Sequence, residues 1–214
     1  MEKPIFPMEY IRITQGYNEG THMGSYAIDN AGKDTSISDV KAPFTGVIKK
    51  IYQNDANEVW LESKEIVEYP DGTKDYMTIM FAHDNDVNDL FVGKVIKQND
   101  TFYHEGTKGN ATGNHCHFEC GKGKFTDNGW HKNNSGYWSI NNGKKPEDCL
   151  WLNDKNIIID THGYKFKKIS TETVEIKPVV TDNKKNEKIF IAPKTDLYGV
   201  YLKEKQELVI KSTK

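Results

Sequence analysis

Apolar and polar residues alternate with a period of two over much of the first 140 residues, and helical periodicity is nearly absent before residue 145. Ile11 and Ile13 alternate with Arg12 and Thr14. Val47 to Tyr52 and Glu58 to Tyr69 alternate or are rich in β-formers, and Thr73 to Ala82 continues the pattern as far as His83. Pro70-Asp71-Gly72 between two such runs predicts a hairpin. Phe91 to Lys97 and Thr101 to Tyr103 predict two further short strands, and Ala42-Pro43-Phe44-Thr45-Gly46 a turn. Many short strands punctuated by turns imply an all-β sandwich or barrel. The Gly-, Asn- and Trp-rich stretch 121–143 predicts a long functional loop or surface hairpin. Pro146 to Leu150 predicts one helical turn.

The pattern thins after residue 165. The expected organisation is a main domain over 1–165, a polar, Lys-rich linker over 166–188 and a short β-rich extension over 189–214. The extension carries Ile189-Phe190-Ile191 and Leu208-Val209-Ile210 and is too short to predict an independent domain.

Composition narrows the function classes. A formal net charge of -2, with 28% charged residues, gives no basic surface for nucleic acid or an anionic membrane. No apolar run approaches the roughly 18 residues of a membrane span. The segment Met1 to Tyr10 lacks the apolar run of a signal peptide, so action outside the cytoplasm would need another route. Cys116, Cys120 and Cys149 are odd in number and irregular in spacing, which argues for buried thiols rather than a disulfide framework.

The chemistry concentrates in Asn114-His115-Cys116-His117-Phe118-Glu119. As a strand, it puts His115, His117 and Glu119 on one face and Cys116, Phe118 and Cys120 on the other. Two imidazoles converging from one face suit a metal ion or a reacting group; the plainer reading is a pair of surface histidines. Gly106 to Gly113 precedes them as a Gly-rich approach. Upstream, His22 and Asp29 are seven residues apart. An unbroken strand would put them on opposite faces. The Gly24-Ser25 break lets His22 fold back toward Asp29. Histidine and aspartate suit a catalytic zinc, which takes three protein ligands and keeps one position open. The chain offers His22, Asp29 and His117 as such a set, with His115 and His83 beside it and Glu119 able to orient an imidazole.

Together, His22 with Asp29, His83 after an apolar strand, the Ala42–Gly46 turn and Gly109-Asn110-Ala111-Thr112-Gly113-Asn114-His115-Cys116-His117-Phe118-Glu119 resemble the LytM-type, M23 zinc metallopeptidases. The resemblance spans roughly residues 10–160. The commoner family pattern separates the first His and Asp by four residues; the spacing of seven is more similar to peptidase domains of phage tail-tip lysins and prophage lytic proteins. The resemblance implies a twisted antiparallel β-sheet or sandwich of the LytM type, with long loops flanking a groove. It implies one zinc per chain on His22, Asp29 and His117, His115 as general base, and His83 stabilising the oxyanion. Glu119 would stand behind a ligand. Tyr103, Asn114, Trp130 and Tyr137 are candidate groove residues. The implied substrate is the peptide portion of bacterial peptidoglycan, and the implied setting is a virion, with tail assembly as a possible partner, or release by a holin. The competing classes are a non-catalytic LytM-like wall-binding module and a structural tail component with a closed zinc site. No carboxylate pair suggests glycosidase chemistry.

Overall fold

A computed structural model describes residues 1–53 and 55–169, together with the backbone of four strands between 178 and 212. The chain divides into two compact units, Met1–Ile169 and Ser170–Lys214. The first is built on a nine-stranded sheet. In chain order its strands are β1 (Tyr10–Gln15), β2 (Ile28–Ala31), β3 (Gly46–Tyr52), β4 (Glu58–Ser63), β5 (Met77–Ala82), β6 (Val95–Ile96), β7 (Cys116–Lys122), β8 (Gly143–Lys144) and β9 (Ile157–Asp160). Their spatial order is β9-β1-β2-β7-β5-β4-β3-β6, and β8 pairs with β7 beside this path. Among the described residues there is no α-helix; the helical turns are two 3-10 turns, Gly20–His22 and Pro146–Asp148.

The sheet is all-β as expected, but it is mixed rather than antiparallel. β9 runs parallel to β1, and Trp151–Leu152 runs parallel to Lys167–Lys168. Both pairings are made by chain that returns after residue 145, where the local pattern carries no strand-direction signal. The expected end of the domain at residue 165 falls inside this unit, because Phe166 packs on the core and Ile169 donates its N–H to the Leu152 carbonyl. The hairpin at Pro70–Gly72 forms, with Gly72 at φ +84°, but its return strand is broken at Tyr76 into Lys74–Asp75 and β5. Phe91–Lys94 turns away, so only Val95–Ile96 remains of the strand expected from 91.

Alternation decides what each face of the sheet carries. In β7, Cys116, Phe118 and Cys120 face the main core and are fully buried. Phe118 stands opposite Ile28 on β2 and Phe81 on β5. Val59 and Leu61 of β4 join them. Burying a side chain of Phe118's size is worth about 1.5–3 kcal/mol. The other face carries His117, Glu119, Met80, Ala82 and Trp60 in register: His117 opposite Asp29 and Ala82, and Met80 opposite both Glu119 and Trp60. A second, smaller apolar cluster of Trp60, Met80, Ala82 and Ile140 covers part of that face.

In the second unit, Pro178–Val179, Glu187–Ile191, Leu197–Leu202 and Glu207–Ser212 form an antiparallel four-stranded sheet. Its first strand lies within the stretch expected as linker; residues 170–177 and 180–186 of that stretch lie outside the described residues.

Candidate metal centre

His22 reaches the sheet from a tight turn. Its N–H donates to the Glu19 carbonyl (2.8 Å), and the Ser25 N–H and Oγ both close on the His22 carbonyl at 3.0 Å. Gly24 then reverses the chain at φ +79°, a conformation that a side chain would strain. The ring ends with Nδ1 3.0 Å from the Gly16 carbonyl and Nε2 3.3 Å from Asp29 Oδ1. A carbonyl only accepts, so Nδ1 carries the proton and Nε2 faces Asp29 as a bare donor of electrons.

His117 approaches Asp29 from the next strand. Its Nδ1 lies 3.0 Å from Asp29 Oδ1, and its Nε2 faces Glu119 Oε1 at 3.7 Å. Glu119 is itself buried and accepts the Ile140 N–H at Oε2, 3.2 Å. One ligand atom from each of His22, Asp29 and His117 can be chosen so that all lie within 4.8 Å of one another.

Two further histidines stand at the rim. His115 holds Nδ1 2.8 Å from the Gly113 carbonyl and turns Nε2 toward Asp29 Oδ2 at 3.6 Å. His83 holds Nδ1 2.7 Å from the Lys108 carbonyl. Its ring centroid lies 4.6 Å from that of His115 and 5.8 Å from that of His117. His83 adopts φ +88°, an uncommon and strained conformation for a non-glycine residue. The Gly-rich approach explains how the chain packs here. Gly106 exchanges backbone hydrogen bonds with His115 and passes so close to His83 that a Cβ would sit 2.3 Å from the His83 carbonyl oxygen.

The electrostatics concentrate on one carboxylate. Burial alone would raise the Asp29 pKa, but contacts with His117 and His22 hold it well below the usual carboxylate range. Burial opposes charge on His117, yet the Asp29 and Glu119 carboxylates outweigh it and push its pKa up to about 10. Burial and repulsion from His117 push His83 down to about 4, against the hydrogen bond to the Lys108 carbonyl.

This donor set fits a zinc ion. It supplies two imidazole nitrogens and a carboxylate. The opposite nitrogen of His22 is anchored on a carbonyl and that of His117 faces a carboxylate, the arrangement that fixes tautomer and ring direction in metal sites.

The structure brings His22, Asp29, His117, His115, His83 and Glu119 close to one another. The groove residues fare differently. Trp130 lines a cavity beside the centre, under a hairpin of Trp130–Lys132 and Trp138–Ile140. Tyr103 does not line it: the ring is fully buried, with its hydroxyl donating to the Asn57 carbonyl (2.7 Å) and accepting the Asp84 N–H (3.1 Å). It is a core residue, because its strand pairs with Asp39–Lys41 and turns the ring inward against Phe81. Tyr137 stands exposed at the hairpin turn, where Asn133 accepts its N–H, and is not among the residues lining that cavity. Asn114 is tied to the Thr35 carbonyl at 2.9 Å and also lies outside it. Reading the sequence missed Tyr52, Glu58, Trp60 and Trp138, which do line the cavity. Glu58 and Trp60 alternate with Val59 and Leu61, a signal that they share a face, but only strand register shows which site that face meets.

No protein-family model matches the chain. It is 35% identical over 129 residues to morphogenesis protein 1 of Bacillus phage B103, a match covering 59% of this chain and 34% of that protein. The chain thus spans about a third of the length of that curated relative. Solved structures similar to it include the catalytic domain of the peptidase lysostaphin from Staphylococcus simulans, at 22% identity over 54% of this chain and 84% of that one, with a TM-score of 0.40. The catalytic domain of the prophage-encoded M23 protein EnpA from Enterococcus faecalis is similar at 17% identity over 53% and 85%, with a TM-score of 0.39. The chain resembles the M23 peptidases. Among the described residues, no helix is long and apolar enough to cross a membrane.

Proposed function

We propose that residues 1–169 form a zinc-dependent endopeptidase acting on the peptides of bacterial peptidoglycan, within a phage- or prophage-encoded protein that reaches the wall with the virion or by release through a holin. The observation that carries this reading is the convergence of His22 Nε2, His117 Nδ1 and the Asp29 carboxylate, with His83 and His115 on one rim of the same point. Three protein ligands suit an open, catalytic site better than a closed structural one. The relative from phage B103 is a morphogenesis protein, which supports the virion setting.

Zinc held by His22, Asp29 and His117 would supply Lewis-acid chemistry, polarising a carbonyl and making hydroxide accessible near neutral pH. The protein's own groups divide the remaining work. His115 presents an unprotonated Nε2, since Nδ1 donates to Gly113, and acts as the base that takes the proton from water. His83 is held in the same tautomer by Lys108. With Nδ1 donating to the Lys108 carbonyl, its Nε2 is an acceptor, suited to holding water beside the centre rather than to donating to an oxyanion. With zinc on Nδ1, the proton of His117 would lie on Nε2, which faces Glu119 at 3.7 Å, so that Glu119 would orient the ring.

The test is mass spectrometry of Gram-positive peptidoglycan after incubation with the protein, with and without a chelator. New amino and carboxyl ends on the peptides, lost with chelator and restored by zinc, are the expected result. Intact peptides across several wall chemotypes, from protein that contains zinc, would replace this reading with a wall-binding or structural one.

A further inference from the structure

The cavity beside the metal centre has a volume of about 320 Å³. His83, His117 and Glu119 of the centre line it. So do Tyr52, Trp60, Trp130 and Trp138, together with the carboxylates Asp55 and Glu58. The aromatic rings brace one another. Trp130 meets Trp60 edge-on at 5.1 Å and Tyr52 edge-on at 5.8 Å, and lies 5.3 Å from Trp138.

Glu58 is the anomaly in this wall. Its exposure is only 9%, and its Oε2 is buried with no hydrogen-bond partner. Among the described residues no lysine, arginine or histidine lies within ion-pair distance of it. Burial raises its pKa and outweighs the opposing influence of its own backbone N–H, His117 and Lys50. A buried, unpartnered carboxylate is costly, and such groups are kept where something else satisfies them. The nearby cation does not do so. Lys50 donates to the Asn128 carbonyl at 2.7 Å and lies 4.8 Å from the ring centroids of both Trp60 and Trp130. It shows that this aromatic wall accommodates an ammonium, but it is not among the residues lining the cavity.

We infer that this cavity is a subsite for a primary ammonium group on the peptide substrate, held by the Glu58 carboxylate within an aromatic cage. Indole and phenol faces attract a cation, and more so when it is desolvated. The buried carboxylate supplies the charge pairing, and Asp55 adds negative potential at the cavity wall. The subsite rests on the peptidase reading for its biological substrate, but its ligand chemistry does not. A peptide would place its reacting carbonyl near His83 and His115 and its amino-bearing residue against Trp130 and Glu58. The ammonium is a lysine-like side chain or a free amino terminus, and the two are separable by experiment.

The test uses the full chain and the fluorescence of its tryptophans, three of which line the cavity. A lysine-containing tripeptide is titrated in three forms: unmodified, acetylated at the side chain and acetylated at the amino terminus. The expected result is at least ~10-fold weaker binding, about 1.4 kcal/mol, for one acetylated form only, and that form names the source of the ammonium. In Glu58→Gln, close in shape to the native residue, the discrimination disappears. Equal binding of all three forms by the wild type, or no binding of any, overturns the subsite without recourse to a variant. Binding is read apart from cleavage. A protein that discriminates the peptides but cuts no peptidoglycan keeps the subsite and loses the peptidase reading; one that cuts without discriminating does the reverse.

Discussion

The two faces of strand β7 obey different rules although their residues alternate along one segment. Cys116, Phe118 and Cys120 face a largely apolar core, with the buried Asn30 opposite Cys116, and burial supplies most of the stability there. His115, His117 and Glu119 face a site where the polar atoms are held in one orientation by Gly113, Asp29 and Ile140. A core position tolerates a substitute of similar volume and shape. A site position does not, because its value lies in where one nitrogen points. The difference teaches that this sheet is a rigid wall: one face supplies stability, and the other spends none of its positions on the main core.

That contrast can be broken by substitution. The largest effect is expected for His117→Ala, which removes a ligand and should weaken zinc binding by more than ~100-fold, beyond the 10–100-fold typical of outer partners, with loss of peptide cleavage. His115→Ala should abolish cleavage while zinc, measured by elemental mass spectrometry after dialysis, stays with the protein. Equal zinc loss in the two variants would show that the ligand set is misassigned.

Phe118→Ala should lower unfolding free energy by about 3–5 kcal/mol, as for other large aromatic truncations in a packed core. Urea denaturation of this variant beside His115→Ala sharpens the comparison. Similar destabilisation by both would mean that the site face also carries the fold. Glu119→Gln should reduce zinc affinity by about 10–100-fold with little change in stability, because the amide can still accept from Ile140 but presents no charge to His117. Unchanged affinity in a competition titration would remove Glu119 from the site. The smallest effect is expected at Tyr137→Ala. This exposed residue at the hairpin turn should change stability by less than ~0.5 kcal/mol and leave cleavage within about twofold; a tenfold fall in cleavage would put the hairpin tip in the groove after all.

Much of this architecture is legible in the chain. The period-two pattern of 116–120 separates the two faces without coordinates, since a strand has only two. The break at Gly24 allows His22 to return to Asp29, and the turn around Gly20–His22 carries that out. Other parts are not legible, for particular reasons. Tyr103 sits next to the Gly-rich approach in sequence, but the pairing of its strand with Asp39–Lys41 turns it into the core. The parallel return of Ile157–Asp160 depends on an edge of the sheet that exists only once Tyr10–Gln15 is in place.

The sequence by itself determined the all-β class, the side of β7 that carries chemistry, and the histidines and aspartate available to a metal. Each follows from local periodicity and residue type. Tertiary structure alone decided the neighbours of that chemistry. Register places Glu58 and Trp60 of β4 on the same face as His117 and Glu119 of β7, across a row shared with Met80 and Ala82. It also folds Trp130 and Trp138 over them. Residues from about 58 to 138 meet in one cavity only through strand pairing. The local pattern limits each strand to two faces, but which distant strands become neighbours is settled only when the sheet assembles and one face is buried.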